Sequence, residues 1–225
     1  MIIVVGASRG IGLAIAEALS DAKVEVLALN RTLIECNFNQ IKCDVTNYLD
    51  FENVAHYLRE NNLKVSGLIN VAGKASMNLS IFTPPETVMS IIQTNLAGTI
   101  FSCNTFAPFL IRNGGGFIIN FSTIAVALNL EGESVYAASK AGVENYSRTL
   151  AKELSPYGIQ VNVIAPGPIN TDLIKSVDKD KINRIIAKQI IKKQFDVNEI
   201  VRLINFFMKT EINSITGAII NVGGV

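Results

Sequence analysis

The chain has 225 residues, of which 49% are hydrophobic and 17% charged, with a formal net charge of +1. This balance fits one domain with a buried core and excludes an intrinsically disordered chain. It gives no basis for a nucleic-acid partner or a membrane surface, and no apolar run approaches the length of a membrane span.

The three cysteines, Cys36, Cys43 and Cys103, are scattered without a CxxC pair. They speak for a reducing compartment and against a disulfide framework or a zinc site. The expected location is the cytoplasm, and no metal is expected. The apolar run Ile2 to Val5 is too short for a signal peptide. The single histidine, His56, reads as a surface residue of a helix and cannot anchor a triad alone. The basic cluster Lys188 to Lys193 reads as a solvated helix face.

Ile2 to Val5 is continuous and β-branched, as a parallel strand buried on both faces tends to be. Gly6-Ala7-Ser8-Arg9-Gly10-Ile11-Gly12 follows, then an amphipathic helix over Leu13 to Ala22 with Ile15, Ala18 and Leu19 in register. Strand, glycine turn and helix form the setting in which backbone N–H groups and a helix N-terminus hold a pyrophosphate. The spacing is G-x-x-x-G-x-G, not G-x-G-x-x-G, yet it meets the same needs: a tight turn and close approach to phosphate. An ordinary glycine turn is the plain alternative. The position directly after an N-terminal strand favours the nucleotide.

Val24 to Leu29 is the second strand. At its end an acid would bond the 2′-hydroxyl of NAD, whereas a basic residue suits the 2′-phosphate of NADP. The chain offers Asn30 and Arg31 there, with Arg9 in the glycine loop, and no carboxylate competes. Two arginines would clamp a phosphate through charge-assisted hydrogen bonds. NADP(H) is the expected cofactor and NAD(H) the alternative. Thr32 to Gln40 leaves little room for a crossover helix. Ile41 to Val45 is the third strand, with Asp44 placed to accept a bond from the adenine amino group. Thr46-Asn47 introduce a helix over Tyr48 to Glu60.

Gly67 to Gly73 is the fourth strand with a small-residue exit. Lys74 to Pro85 is a loop beside the substrate. Glu86 to Ile111 is helical with a bend near Gly98. Asn95 stands mid-helix, where asparagine has no propensity reason to be; alone it reads as a solvent-facing or back-bonded amide. Phe117 to Phe121 is the fifth strand. Ser122 and Thr123 follow at its carboxyl end, where open α/β sheets bind ligands.

Tyr136 and Lys140 are four residues apart in a helical stretch, so they share a face. A free phenol has a pKa of about 10, and a nearby cation lowers it. The pair is a candidate general acid/base. Alone, the spacing equally describes a packed ring beside a solvated amine. Gln160 to Ile164 is the sixth strand and leads into Ala165-Pro166-Gly167-Pro168. Residues 168–196 read as a cover over the substrate, Val197 to Lys209 as a helix and Ala218 to Val222 as a last strand. The alternation predicts an α/β, Rossmann-like doubly wound parallel sheet of about seven strands, with helices on both faces and one domain over residues 1–225.

Taken together, these motifs resemble the short-chain dehydrogenase/reductase family over essentially the whole chain. They are Gly6-x-x-x-Gly10-x-Gly12, Asp44-Val45, Asn70-Val71-Ala72-Gly73, Asn95, Tyr136-x-x-x-Lys140 and Pro166-Gly167. The glycine loop and the tail after Phe195 look most like the 3-oxoacyl-acyl-carrier-protein reductase branch. The resemblance implies a site of four residues. Tyr136 would donate a proton to a carbonyl oxygen as hydride arrives from the nicotinamide. Lys140 would lower the pKa of Tyr136 and bind the nicotinamide ribose, and Asn95 would hold a water in a proton relay. The fourth member, usually a serine thirteen residues before the tyrosine, is Thr123 here, with Ser122 one step off. Neighbours on a strand face opposite ways, which assigns the role to Thr123.

The resemblance further implies cofactor contacts along the chain. In the glycine loop these are Gly6, Ser8, Arg9, Gly10, Ile11 and Gly12. Around the second and third strands they are Asn30, Arg31, Asp44 and Val45. After the fourth strand they are Asn70, Ala72 and Gly73, and after the sixth Pro166, Gly167, Ile169 and Thr171, beside Tyr136 and Lys140. It also implies a homotetramer or homodimer formed through helices near 99–113 and 137–155. The chain departs from the family in its truncated second crossover and in Val222, where the final motif usually carries an acid.

The expected activity is hydride transfer between NADPH and a carbonyl or secondary alcohol, with a 3-oxoacyl thioester as one candidate substrate. An acidic carrier would want a basic patch at the entrance, and little beyond Arg112 offers one. A reductase of a small polar or cyclic alcohol is the alternative enzyme. A non-catalytic NAD(P)-binding sensor would not need both Tyr136 and Lys140, and a sugar-nucleotide epimerase would need a larger C-terminal domain. Residues 74–82, 125–135 and 168–195 would line the substrate, with Glu131 and Glu133 acidic in a mostly apolar run.

Overall fold

The computed structural model describes residues 1–170, 178–209 and 214–225. Seven strands make one parallel sheet in the order 3-2-1-4-5-6-7: β1 (Ile2–Val5), β2 (Val26–Asn30), β3 (Asn39–Lys42), β4 (Gly67–Asn70), β5 (Gly116–Phe121), β6 (Ile159–Pro166) and β7 (Ile219–Val222). The helices between them are α1 (Gly10–Asp21), α2 (Tyr48–Glu60), α3 (Pro85–Ile92), α4 (Gly98–Arg112), α5 (Ala125–Leu128), α6 (Ser134–Leu154), α7 (Lys179–Lys188) and α8 (Val197–Phe207).

Alternate residues of each strand serve opposite cores. Ile2 and Val4 pack with Ile15 and Leu19 of α1 and with Ile200 and Ile204 of α8. Ile3 and Val5 pack with Phe51 and Leu58 of α2 and with Phe106 and Leu110 of α4. This is the period of two expected of a pleated strand. It explains why the central strands are apolar at every position: both faces are covered. The strand order reverses between β1 and β4, which opens a crevice at their carboxyl ends.

Several expectations change in detail. β3 is Asn39–Lys42, not Ile41–Val45. Asp44 ends it, because its Oδ1 accepts from the Thr46 N–H and hydroxyl at 2.9 and 2.8 Å and folds the chain into a turn. The truncated crossover is real: residues 31–38 form no helix, and Gln40 holds the connection through the backbone N–H of Ile34. The helix expected over Glu86 to Ile111 is interrupted by a π-helical turn over Gln93–Ala97. Such turns insert an extra residue and re-aim side chains, often at functional sites. Arg112 lies at the end of α4, just before the amino end of β5, and stacks 4.9 Å from the Phe109 ring centroid. It therefore stands at the opposite end of the sheet from the entrance. His56 is exposed as expected and pairs with Glu60 at 3.2 Å. Cys36, Cys43 and Cys103 are free thiols.

Candidate active site

The glycine loop is fixed by lack of room. A Cβ on Gly6, where φ is +90°, would stand 2.6 Å from the Cα of Ala72, and one on Gly12 would stand 2.1 Å from the Gly6 carbonyl oxygen. The Ala7 N–H donates to Asn30 Oδ1 at 2.7 Å, so Asn30 is buried and props the loop from behind. Arg9 is the N-cap of α1, with no side-chain cap bond and no acid in the first turn. The first N–H groups of α1 are thus open donors at the positive end of the helix dipole. That arrangement fits a pyrophosphate on Ser8 to Gly12.

The adenosine side is less free than the sequence implied. Burial pushes the Asp44 carboxyl up, but the Thr46 hydrogen bonds and the nearby Arg31 charge outweigh it and hold it below the usual range. A carboxylate therefore does compete for Arg31. Arg9 and Arg31 are both exposed. Val45 packs against Gly98. The side chain of Asn70 points inward: its amide donates to Asn120 Oδ1 at 2.8 Å and to Cys103 Sγ at 3.4 Å. Asn120 continues to Ser147 at 2.9 Å. These bonds tie β4, β5 and α6 together beneath the site.

A cavity of about 640 Å³ opens at the carboxyl ends of β4, β5 and β6. Gly73, Thr123, Tyr136, Lys140, Gly167 and Ile169 line it, together with Ile11 and Pro166. Thr171 lies outside the described residues. Lys74 and Lys181 stand in its wall beside Asp178, so the basic groups at the mouth are these lysines and not Arg112.

Thr123 and Ser122 separate cleanly. The Ser122 hydroxyl donates to Glu144 Oε1 at 2.6 Å and is committed there. The Thr123 hydroxyl accepts from the Ala125 N–H at 3.2 Å and stands close enough to the phenol of Tyr136 to lower its pKa. Burial pushes that phenol well above its ordinary value, the Glu133 charge adds to the rise, and the Thr123 hydroxyl opposes it. Lys140 is buried, and its Nζ donates to the Phe121 carbonyl at 2.8 Å. Burial pushes its pKa down to about 8. Tyr136 and Lys140 stand one turn apart on α6. The two share a helix face, but the ammonium turns to the end of β5, and burial dominates the phenol.

Asn95 is fully buried in the π-helical turn and is neither solvent-facing nor back-bonded through its side chain. Its Oδ1 accepts from the Lys74 N–H at 2.7 Å, and its Nδ2 donates to the Lys74 carbonyl and the Ser139 hydroxyl, both at 2.9 Å. It clasps the loop after β4 to α6. The place a Cβ of Gly73 would take lies 3.4 Å from Asn95 Oδ1 and 3.5 Å from Lys140 Nζ, so all three meet at one point. Two participants were not singled out from sequence, Ser139 and the Phe121 carbonyl. Ser139 had a signal, its place three residues after Tyr136 on the same helix face. The carbonyl had none. Among the described residues no cluster could hold a metal ion, and no helix is long and apolar enough to cross a membrane.

Comparison with known proteins places this geometry. The short chain dehydrogenase family model matches residues 1–182. The chain is 32% identical to carbonyl reductase family member 4 of Xenopus laevis, over 98% of this chain and 95% of the relative. It is 30% identical to a 3-oxoacyl-(acyl-carrier-protein) reductase of Escherichia coli, over 99% and 95%. Among solved structures, the ligand-free aldohexose dehydrogenase of Thermoplasma acidophilum superposes with a TM-score of 0.90 at 27% identity, covering 99% of this chain and 92% of that one. The glycine loop on β1, the Tyr136–Lys140 pair on α6 and these matches agree, and the chain belongs to the short-chain dehydrogenase family of oxidoreductases.

Proposed function

We propose that the protein transfers hydride between NADP(H) and a carbonyl or its secondary alcohol, with Tyr136 as the proton donor. The observation that carries this reading is the meeting of Tyr136, the Thr123 hydroxyl and buried Lys140 in one cavity beside an uncapped α1 N-terminus. The nicotinamide supplies the hydride when bound. The chain's own residues do the rest. The N–H groups of Ser8 to Gly12 would hold the pyrophosphate. Arg9 and Arg31 are exposed at the adenosine end and favour a 2′-phosphate over a free hydroxyl.

At the reacting end, the carbonyl oxygen gains charge as its carbon is reduced. Tyr136 gives that oxygen its proton, and Thr123 holds the phenol and the oxygen in line. A phenol raised by burial keeps its proton across the ordinary pH range, which suits reduction. Lys140, charged below about pH 8, holds the nicotinamide ribose and offsets the charge left on the phenolate. The donor hydrogens of Asn95 are committed to Lys74 and Ser139, so its main task is to clasp the loop after β4 to α6. A relay water is left the free lone pair on Asn95 Oδ1.

The relatives differ in the substrate their names give, so the substrate class has to be read from the walls of this cavity. A 3-oxoacyl thioester is one candidate on family likeness. Lys74 and Lys181 at the mouth are the basic groups an acidic carrier could use. Assembly into two or four copies through residues 99–113 and 137–155 belongs to the same reading, and light scattering tests it. The activity test is NADPH oxidation with a carbonyl panel in wild type and Tyr136→Phe. The variant should bind NADPH as wild type does and turn over about 10²- to 10⁴-fold more slowly. Full activity in the variant would remove Tyr136 from the chemistry.

A further inference from the structure

The substrate side of the cavity is walled by Met77, Leu130, Ile182 and Ile185. Lys74, Asp178 and Lys181 are exposed where they line it, whereas one acidic residue of this wall is buried. Glu133 lines the cavity three residues before Tyr136 and is only 8% exposed. It occupies the N-cap position of α6, yet its side chain makes no cap bond. Only its backbone is engaged: its carbonyl accepts from the Ala137 N–H at 2.7 Å, and its N–H donates to the Leu130 carbonyl at 3.2 Å. Among the described residues its carboxyl has no hydrogen bond and no ion pair.

Its carboxyl oxygens still reach the open space of the cavity, so an occupant that displaces solvent there must offer them a partner. Among the described residues no cation pairs with it. Lys140 Nζ is bonded to the Phe121 carbonyl, and the Lys74 ammonium is bonded to Ser90 at 2.8 Å. What remains is the occupant of the cavity. Glu133 stands one turn before Tyr136 at the start of α6 and lines the same cavity, so the occupant's donor lies close to the carbon being reduced.

We propose that Glu133 is a substrate-binding residue that accepts a hydrogen bond from a hydroxyl adjacent to the reacting carbonyl, which makes hydroxylated carbonyl compounds of the polyol and sugar type the substrate class. The inference rests on the hydride-transfer reading above and sharpens it. A hydroxyl is favoured over an ammonium because buried Lys140 and Lys181 share the cavity and repel a second cation. A carboxyl in either protonation state bonds a hydroxyl, and burial already pushes this one up. A plain acyl chain offers no donor here and would leave the carboxyl unpaired, at a cost of the order of 1–3 kcal/mol for an unsatisfied buried group.

Three ketones of one skeleton test this: hydroxyacetone, aminoacetone and acetone, each reduced with NADPH by wild type, Glu133→Gln and Glu133→Leu. Wild type should prefer hydroxyacetone over acetone by at least about tenfold in kcat/KM. Glu133→Leu should bring that ratio close to one, and Glu133→Gln, which keeps an acceptor oxygen, should retain part of it. Melting temperatures show which variants fold, and the ratio in Glu133→Gln decides should Glu133→Leu not fold. Equal rates for hydroxyacetone and acetone in wild type would overturn the role of Glu133 while leaving hydride transfer intact. A preference for aminoacetone would overturn it in favour of a cationic substrate. No NADPH oxidation with any of the three, while the carbonyl panel above is reduced, would overturn this inference alone, and none with the panel either would remove the hydride-transfer reading with it.

Discussion

At the glycine loop, Gly6 and Gly12 meet backbone atoms at distances that leave no space for a side chain. Around Tyr136 the walls are instead Met77, Leu130, Glu133 and Ile182, side chains supplied by loops, by the start of α6 and by α7. The nucleotide end of the cleft is thus made of main chain and the substrate end of side chains. A main-chain site can bind the part of a ligand that never varies, the pyrophosphate. A side-chain site can be rewritten at little cost to the sheet, which is how one fold serves many substrates.

The contrast breaks first where the backbone has no slack. Gly12→Ala drives a Cβ into the Gly6 carbonyl and must shift the loop, at about 1–3 kcal/mol. NADPH affinity should fall by about 100-fold in fluorescence titration, with a lower melting temperature. Met77→Ala, on the substrate wall, should leave NADPH binding as it is and change only the KM of the carbonyl. Equal loss of NADPH binding in both would erase the distinction between the two ends.

A finer division runs between two neighbours on one strand exit. Thr123→Ala should lower kcat by about 10²-fold, whereas Ser122→Ala loses only its bond to Glu144, about 1 kcal/mol of stability, with kcat near wild type. The reverse pattern, read from steady-state rates and thermal melts, would exchange their roles.

The smallest effect is in pH. Burial places Lys140 near 8, below the ordinary lysine value, so its charge is present below that pH and lost above it. Tyr136 is raised and stays protonated throughout this window. The kcat/KM for NADPH, which reports the free enzyme, should therefore hold level up to about pH 8 and decline beyond it. A profile flat to pH 10 would mean that the charge on Lys140 does not matter.

The nucleotide end was readable because its constraints are local and written in glycine. Gly6, Gly10 and Gly12 follow a strand and open a helix, and the physics of that turn admits few alternatives. Alternation of apolar strands with amphipathic helices likewise carried the sheet, and the strand shifts at β2, expected over Val24 to Leu29, and at β3 were matters of one to three residues. Asn95 could not be placed from sequence, because its function depends on a π-helical turn that no periodicity announces. The direction of the Lys140 ammonium depends on the Phe121 carbonyl, a backbone atom nineteen residues away. The competition of Asp44 for Arg31 appears only when the chain turns after β3. Such long-range pairings are set by the fold and leave no local mark.

The most direct test of the central claim is a titration of the purified protein with NADPH and with NADH, followed by cofactor fluorescence, in wild type and in the Arg9→Ala/Arg31→Ala double variant. The account predicts that wild type binds NADPH at least about tenfold more tightly than NADH and that the double variant loses this margin while binding NADH unchanged. Tighter binding of NADH by wild type would contradict the 2′-phosphate clamp and turn the site toward alcohol oxidation with NAD. Binding of neither would contradict hydride transfer itself.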